Sequence, residues 1–169
     1  PGAALLLDDF NTQYFPHVIN RLGFPLGYSL AASTIDFLRW LGLLIFCANC
    51  VLVGWFLRCE GLHATALSAT ALFLSLPFVV QTSWPHYFVY LPFCQTALWL
   101  GSGATQISAG LRRLLRIPLL FSIALANIYF FNLLPSWRLY NGLGMLFFAD
   151  ASLLFALYGT VALWRSKRK

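Results

Sequence analysis

The chain has 169 residues, of which 60% are hydrophobic and 9% are charged, and its formal net charge is +6. A soluble domain carries about 25% charged residues, and a small water-soluble fold could not bury so much apolar surface because its surface is large relative to its volume. Composition therefore excludes an ordinary soluble protein and favours one compact membrane domain, for which the aromatic share of 17% is also typical.

The first region, residues 1–37, mixes charged residues with Pro and Gly, and this predicts loops and short helices in place of a span. The sequence starts at Pro1 without a Met and shows no charged stretch followed by an apolar signal and a cleavage site. We therefore expect a processed product or a fragment, with any missing material in front of it.

Five apolar stretches follow, and each predicts a membrane-spanning helix. The second is expected to kink at Pro77, and the third is shorter than the ideal length. The predicted fold class is all-α, a polytopic transmembrane helix bundle of about five spans over residues 38–164, followed by a basic tail, 165–169. The predicted spans are 38–57, 65–80, 87–100, 117–134 and 143–164.

Polar connections join the predicted spans. The connection over 81–87 reads QTSWPHY, a Gly/Ser loop followed by an Arg cluster is predicted over 101–116, and a turn is predicted over 135–142. The three arginines of that cluster are interpreted as topology determinants that snorkel toward the headgroups.

The basic residues separate into two unequal groups when the predicted spans alternate in direction. Because cytoplasmic loops carry the excess of Lys and Arg, the C-terminal tail is expected in the cytoplasm and the QTSWPHY turn outside it. The positive charge then requires no nucleic-acid partner, and the tail is expected to touch anionic membrane lipids. The tail side holds Arg58, Arg112, Arg113, Arg116, Arg165, Lys167, Arg168 and Lys169, and the outer side holds Arg21, Arg39 and Arg138.

Polar side chains concentrate on the predicted outer face. Arg donors suit phosphate, His can transfer a proton near neutral pH, and Trp and Tyr could stack on a sugar ring. Together these residue types favour a phosphorylated or sugar ligand. The candidates are Asp8, Asp9, Asn11, Gln13, His17, Asn20, Arg21, Gln81, Ser83, Trp84, His86, Tyr87, Ser136, Trp137, Arg138, Tyr140 and Asn141.

Structural interpretations of the same residues stay open. Trp84 and Tyr87 could be interfacial anchors, and His86 could satisfy backbone groups in a turn between two helices. Asp8 and Asp9 could belong to a solvated face or cap a following helix.

Within the predicted spans a few polar residues stand out. Asp150 is a functional candidate because an intramembrane carboxylate is costly, although a hydrogen bond to a neighbouring helix would also explain it. Asn49, Asn127 and Asn132 are predicted to make hydrogen bonds between helices.

The cysteines do not predict a metal site. Cys47 and Cys50 stand three residues apart, but no His or carboxylate is close to them in sequence. They are interpreted as small packing residues, and neither a metal ion nor another cofactor is expected.

The stretch 71–100 resembles the signature region of glycosyltransferase family 87, whose members are polytopic enzymes of the C-type fold. That family has an apolar helix, a Ser-Pro-x-Ser-Trp-x-His-His turn and a second apolar helix with Leu-Pro. Ser83, Trp84 and His86 match the turn, and Leu91 with the following Pro matches the second helix.

The sequence departs from the family pattern at two places in the turn. Tyr87 replaces the second His, and Gln81 stands where Pro is usual. An earlier stretch, 11–23, looks like the family's Asn-Gln-Ser segment followed by Arg-Leu, with Thr12 interrupting the Asn-Gln pair. The matched parts cover about a quarter of the chain.

The resemblance implies a polyprenyl-phosphate sugar donor, often the mannose form, and sugar transfer to a lipid or glycan outside the cytoplasm. It implies that His86 is a catalytic candidate that contacts phosphate together with Arg21. The other substrate-binding candidates are Asn11, Gln13, Ser83, Trp84 and Tyr87.

The resemblance also implies that this chain is the C-terminal half of such an enzyme. The family's catalytic Asp lies in the first outer loop, before the matched region, so the role of base is not carried over to Asp8 or Asp9. Two other functions stay open: a non-catalytic membrane subunit packed against a larger partner, and a small transporter whose path includes Asp150.

Overall fold

The computed structural model describes residues 11–23, 29–58, 62–83, 85–104, 109–128, 133 and 136–166. Every regular element in these ranges is a helix, which confirms the predicted all-α class. The elements are α1 (Phe15–Gly23), α2 (Ala32–Phe56), α3 (Leu62–Phe73), α4 (Leu76–Val79), a 3₁₀ helix (Pro85–Tyr90), α5 (Leu91–Ala104), α6 (Ala109–Asn127), α7 (Trp137–Gly142) and α8 (Met145–Ser166).

Three stretches of the described chain are long and apolar enough to cross a membrane. They are Ala32–Phe56, Leu62–Val79 and Met145–Ala162, which correspond to α2, to α3 with α4, and to most of α8. Helix α5 has 14 residues, fewer than the roughly 20 that cross a bilayer. Helix α6 has 19 residues but begins with an arginine-rich sequence.

Two predicted helix starts are wrong, because charged residues that were expected before the helices belong to their first turns. Helix α2 begins at Ala32 and not at residue 38, and an Asp36–Arg39 pair with an N–O distance of 3.0 Å lies within its first turns. Such pairs three residues apart support a helix. The arginines expected in a loop stand in α6, which begins at Ala109, since Arg is a good helix former.

The turn predicted over 135–142 contains the short helix α7. Ser136 caps that helix, because its hydroxyl accepts a hydrogen bond from the backbone N–H of Leu139 at 3.1 Å. After α7 the chain reverses at Gly144, whose φ of 68° is in the left-handed region. A Cβ there would collide with Val18 of α1, so the turn requires glycine both for its conformation and for space.

The predicted kink at Pro77 is confirmed as an interruption between α3 and α4. The α3 helix ends at Phe73, and Pro77 stands at the start of α4, where its missing N–H costs nothing. Helix α2 crosses this interruption closely, because a Cβ on Gly42 would collide with the carbonyl oxygen of Phe78. A glycine at the crossing therefore lets the two backbones approach.

Helices α6 and α8 pack in antiparallel directions and form the most extensive contact of the bundle. A Cβ on Gly159 would come within 2.6 Å of Leu115. Near the N-terminus of α6, Arg116 lies over Trp99 of α5. We call the end with residues 99–104 and 109–116 the basic end.

Much of α2 has no neighbour on one side among the described residues. Large apolar side chains there are strongly exposed, with 64% exposure for Phe37, 70% for Trp40 and 73% for Val51. A continuous apolar surface of this kind is costly in water. Lipid is the environment that the composition and length of this helix fit.

Candidate functional site

The QTSWPHY turn is bonded to the segment that precedes α1. The backbone N–H of Gln13 donates to the carbonyl of Ser83 at 2.6 Å. The hydroxyl of Thr12 donates to the carbonyl of Gln81 at 2.9 Å. The two stretches in which the family resemblance lies are therefore neighbours in space, although about 70 residues separate them in sequence.

Gln13 connects the segment before α1 to α7 and α8. Its side chain is fully buried. The amide nitrogen donates to the carbonyl of Asn141 at 3.1 Å, and the amide oxygen accepts from the N–H of Phe147 at 3.3 Å. One buried side chain thus satisfies backbone groups in both α7 and α8.

Arg21 of α1 also bonds to the segment before α1 and to α7. We call the contacts of Gln13 and Arg21 the buried junction. The Arg21 guanidinium donates to the carbonyl of Thr12 at 2.7 Å, to that of Asn141 at 3.4 Å and to that of Gly142 at 3.3 Å. The last carbonyls of a helix lack partners in the helix itself and carry partial negative charge. A buried cation is therefore stabilised by backbone dipoles and holds α1 against the end of α7.

A pocket of about 650 Å³ opens between the 3₁₀ helix, α5, α6 and α7. Its walls are mainly apolar, with amide, imidazole and phenol groups among them, which is the usual mixture in small-molecule sites. We call this end of the bundle the pocket end. The lining residues are Asn11, Pro85, His86, Phe88, Val89, Leu91, Pro92, Gln95, Ala126, Asn127, Trp137, Tyr140 and Leu146.

Four of the predicted outer-face candidates line this pocket: Asn11, His86, Trp137 and Tyr140. His86 is exposed, and its ring lies edge-on to Tyr87 with ring centroids 4.3 Å apart. The 3₁₀ helix that starts at Pro85 presents the imidazole here. An exposed imidazole at the opening of a pocket can exchange protons with a ligand or with water.

Sequence reasoning missed Gln95 and Asn127, which lie in stretches predicted to be apolar spans. Gln95 donates to the hydroxyl of Ser122 at 3.1 Å and so links α5 to α6. Asn127 donates at 2.7 Å to the carbonyl of Ile123 in its own helix, whereas a bond between helices was predicted. The available signal was an amide in an apolar stretch, in each case about two helical turns from the predicted outer end of the span.

Trp137 and Tyr140 form the aromatic side of the pocket. Their rings stack with centroids 5.6 Å apart and an interplanar angle of 19°. The Tyr140 hydroxyl donates to the carbonyl of Leu125 at 3.2 Å. Burial raises the pKa of Tyr140 to about 12, so this phenol stays protonated and can act as a donor at physiological pH.

Ser83 and Tyr87 do not share the pocket. They line a separate, almost wholly apolar groove of about 540 Å³, which has Phe88 and Val89 in common with the pocket. The Ser83 hydroxyl donates to the carbonyl of Val80 at 2.6 Å. The 3₁₀ helix therefore separates residues that the motif had grouped together.

Gln13 and Arg21 are likewise absent from the pocket lining, since both are buried in the junction described above. Trp84, Asp8 and Asp9 lie outside the described residues, as does Asn132.

Two further polar candidates in α1 are buried, as is the tyrosine before that helix. His17 packs edge-on against Tyr14 with ring centroids 5.1 Å apart, and Asn20 accepts from the N–H of Leu30 at 3.0 Å. Burial raises the pKa of Tyr14, against the opposing effect of the nearby Arg39 guanidinium. These contacts give the residues a role in holding α1 in place.

Asp150 is fully buried in α8. The hydroxyl of Tyr90 donates to its Oδ1 at 2.8 Å, so the predicted hydrogen bond to a neighbouring element is present. The bond ties the last residue of the 3₁₀ helix to α8, one helical turn after Leu146 of the pocket.

The hydrogen bond between helices that was predicted for Asn49 is also confirmed. It is buried in α2, and its Oδ1 accepts from the hydroxyl of Tyr158 in α8 at 2.8 Å. The thiols of Cys47 and Cys50 are free and exposed on the same helix. Within the described ranges, no three or more His, Cys, Asp or Glu residues are grouped so that they could hold a metal ion.

No family model matches the chain, and neither a curated protein nor a solved structure matches it. The resemblance over residues 71–100 stays a prediction.

Proposed function

We propose that this chain is the donor-binding part of a multi-pass membrane glycosyltransferase that uses a polyprenyl-phosphate sugar, with mannose as the first sugar to test. The observation that carries the proposal is the position of His86 at the opening of a 650 Å³ pocket with amide and aromatic groups in its walls. A ligand with a polar head and a long apolar chain suits such a pocket at one end of an apolar bundle.

The polar lining fits a sugar better than a free phosphate. The pocket contains the amides of Gln95 and Asn127 and the stacked rings of Trp137 and Tyr140, and no Arg or Lys is among its described lining residues. Amides bond to sugar hydroxyls, and aromatic faces pack on the apolar side of a sugar ring. His86 supplies the group that can donate to the donor phosphate.

The proposed reaction is a simple exchange at the anomeric carbon of the sugar. The bond from that carbon to the phosphate oxygen breaks, and a bond to an acceptor hydroxyl oxygen forms. Polyprenyl phosphate leaves, and the hydroxyl proton passes to a general base outside this lining, since no Asp or Glu is among the lining residues that the structure describes.

The proposal includes five membrane-crossing helices with the basic end in the cytoplasm. In that arrangement α5 crosses together with the 3₁₀ helix that precedes it, and α6 crosses with its arginines at the cytoplasmic headgroups. Arg58 and the arginines of α6 then share one side, and Arg21 shares the other with the pocket, as the excess of positive charge in cytoplasmic segments favours.

The test is a substitution of His86 in the full-length protein, with sugar transfer from a labelled polyprenyl-phosphate mannose measured in isolated membranes. We expect His86→Ala to reduce transfer by at least a hundredfold, which is the usual size of a general acid–base contribution. The matched control is His63→Ala, because His63 is also exposed and stands in the first turn of α3, away from the pocket.

Full activity of His86→Ala would overturn the proposed role of the imidazole. Equal losses in both variants would point to expression or folding and would be resolved by a pulldown with a photoreactive polyprenyl-phosphate analogue. Labelling that maps to α5 or the 3₁₀ helix supports the proposal, and labelling confined to α2 contradicts it.

A second candidate is a non-catalytic membrane subunit that packs against a larger partner. The observation in its favour is the exposed apolar face of α2, which includes Trp40 and Val51. Polar substitutions on that face would then release the partner, while His86→Ala would leave the complex and its activity intact.

A further inference from the structure

One arginine at the basic end lies over an exposed aromatic ring, and a second arginine precedes it by one helical turn. The guanidinium carbon of Arg116 lies 4.2 Å from the centroid of the Trp99 ring, within the range of a cation–π contact. Arg113 stands one turn before Arg116 on the same helix and is exposed. The ring therefore fixes one of two neighbouring positive charges between α5 and α6.

These charges are not matched by acidic side chains in the described part of the chain. The one salt bridge found there joins Arg39 to Asp36 in α2, and α6 has no acidic residue in its first turn. Arg113 is exposed and Arg116 is half-buried. The basic end thus brings positive charge to a surface that an external anion can reach.

The surroundings of these arginines are apolar and exposed. Leu114 is 60% exposed, Ile117 is 61% exposed and Leu100 is 54% exposed. A soluble anion or an acidic protein surface would leave these side chains uncovered, whereas a phospholipid covers them with its acyl chains while its phosphate meets the arginines. The combination of charge and apolar surface is that of a lipid site at the membrane interface.

We propose that an anionic phospholipid binds at the basic end between α5 and α6, with its headgroup phosphate on Arg113 and Arg116 and an acyl chain along Ile117. Arg is suited to phosphate because its planar donors can bond two oxygens together. The site is independent of the glycosyltransferase proposal, since it lies at the other end of the bundle from His86.

The experiment is native mass spectrometry of the purified protein in detergent, titrated with phosphatidylglycerol and with phosphatidylcholine of the same acyl chains. We expect tighter binding of phosphatidylglycerol and weaker binding as ionic strength rises. The double variant Arg113→Gln/Arg116→Gln should lose about twentyfold in affinity for phosphatidylglycerol, since each basic residue at an anionic lipid surface contributes about fivefold.

The control variant is Arg39→Gln/Arg138→Gln, which removes the same charge from residues outside the basic end and should leave the affinity unchanged. Trp99→Leu should lower the affinity about threefold, because the Arg116 guanidinium loses the ring that positions it. If the double variant does not fold, Arg113→Gln alone tests the site through an exposed side chain.

Equal affinity of the wild-type protein for the two lipids would overturn the proposal, as would equal losses in the two double variants. Displacement of the lipid by an oligonucleotide or an acidic peptide at matched charge would also contradict it, because those ligands cannot use the apolar surface.

Discussion

The two ends of the bundle handle polar groups in opposite ways. At the pocket end, the side chains of Gln13 and Arg21 are buried and bonded to backbone groups from distant segments. At the basic end, Arg113 is exposed, and Arg116 rests on the partly exposed Trp99. One end is ordered by buried hydrogen bonds and the other by charge at the surface.

Polar residues at the pocket end stabilise the fold, whereas those at the basic end are exposed and can bind a partner. A buried polar group that loses its hydrogen-bond partner destabilises the fold by its full desolvation free energy. Substitutions at the pocket end should therefore lower the free energy of unfolding strongly. Replacing an exposed arginine changes the free energy of unfolding very little. Matched substitutions at the two ends test whether their contributions to stability differ in this way.

The largest effect is expected for Arg21→Gln against Arg113→Gln. Loss of the Arg21 guanidinium removes a donor from three carbonyl groups, of which that of Asn141 still accepts from Gln13. This loss should lower the free energy of unfolding by about 4 kcal/mol. Arg113→Gln should change it by less than about 0.5 kcal/mol. Unfolding in mixed detergent micelles, followed by circular dichroism, measures both, and similar losses would break the comparison.

A smaller effect is expected for Gly144→Ala against Gly54→Ala. At Gly144 the left-handed φ of 68° and the collision with Val18 together should cost about 3 kcal/mol. A Cβ on Gly54 would meet nothing within 4 Å, and alanine is the better helix former by about 1 kcal/mol. The same unfolding assay should show a loss for the first and no loss for the second.

The smallest effect is expected for Tyr90→Phe against Tyr158→Phe. Both changes remove one hydroxyl donor at 2.8 Å, from Asp150 and from Asn49 respectively. Loss of the donor to a fully buried carboxyl should cost about 2 kcal/mol, and loss of the donor to an amide about 1 kcal/mol. Asp150→Asn, which keeps an acceptor for Tyr90, should retain most of the stability, and a larger loss there would contradict this account.

Much of the fold could be predicted from composition and pattern. The helical class, the interruption at Pro77 and the hydrogen bonds of Asp150 and Asn49 followed from apolar length, proline chemistry and the cost of polar groups in an apolar bundle. The starts of α2 at Ala32 and of α6 at Ala109 could not be predicted, because charged residues at a helix end can belong either to a loop or to the helix.

The candidate site was predicted only in part. The pairing of residues 11–14 with the QTSWPHY turn agrees with the two stretches singled out in the sequence. The motif did not predict that the residues of these two stretches would be divided among a pocket, a groove and a buried junction. Spacing along the chain does not say which side of a 3₁₀ helix a residue such as Ser83 faces once its neighbours pack.

The apolar helices, the grouping of positive charge in a few segments and the polar turn around His86 are all readable from the sequence. The meeting of Gln95, Asn127 and His86 in one pocket and the bonds of Arg21 to the end of α7 depend on how the helices pack. The physical reason is that these helices are apolar on nearly every side, so hydrophobicity does not select the face that packs. That choice is made by close approaches at residues such as Gly42 and by hydrogen bonds across more than a hundred residues of sequence.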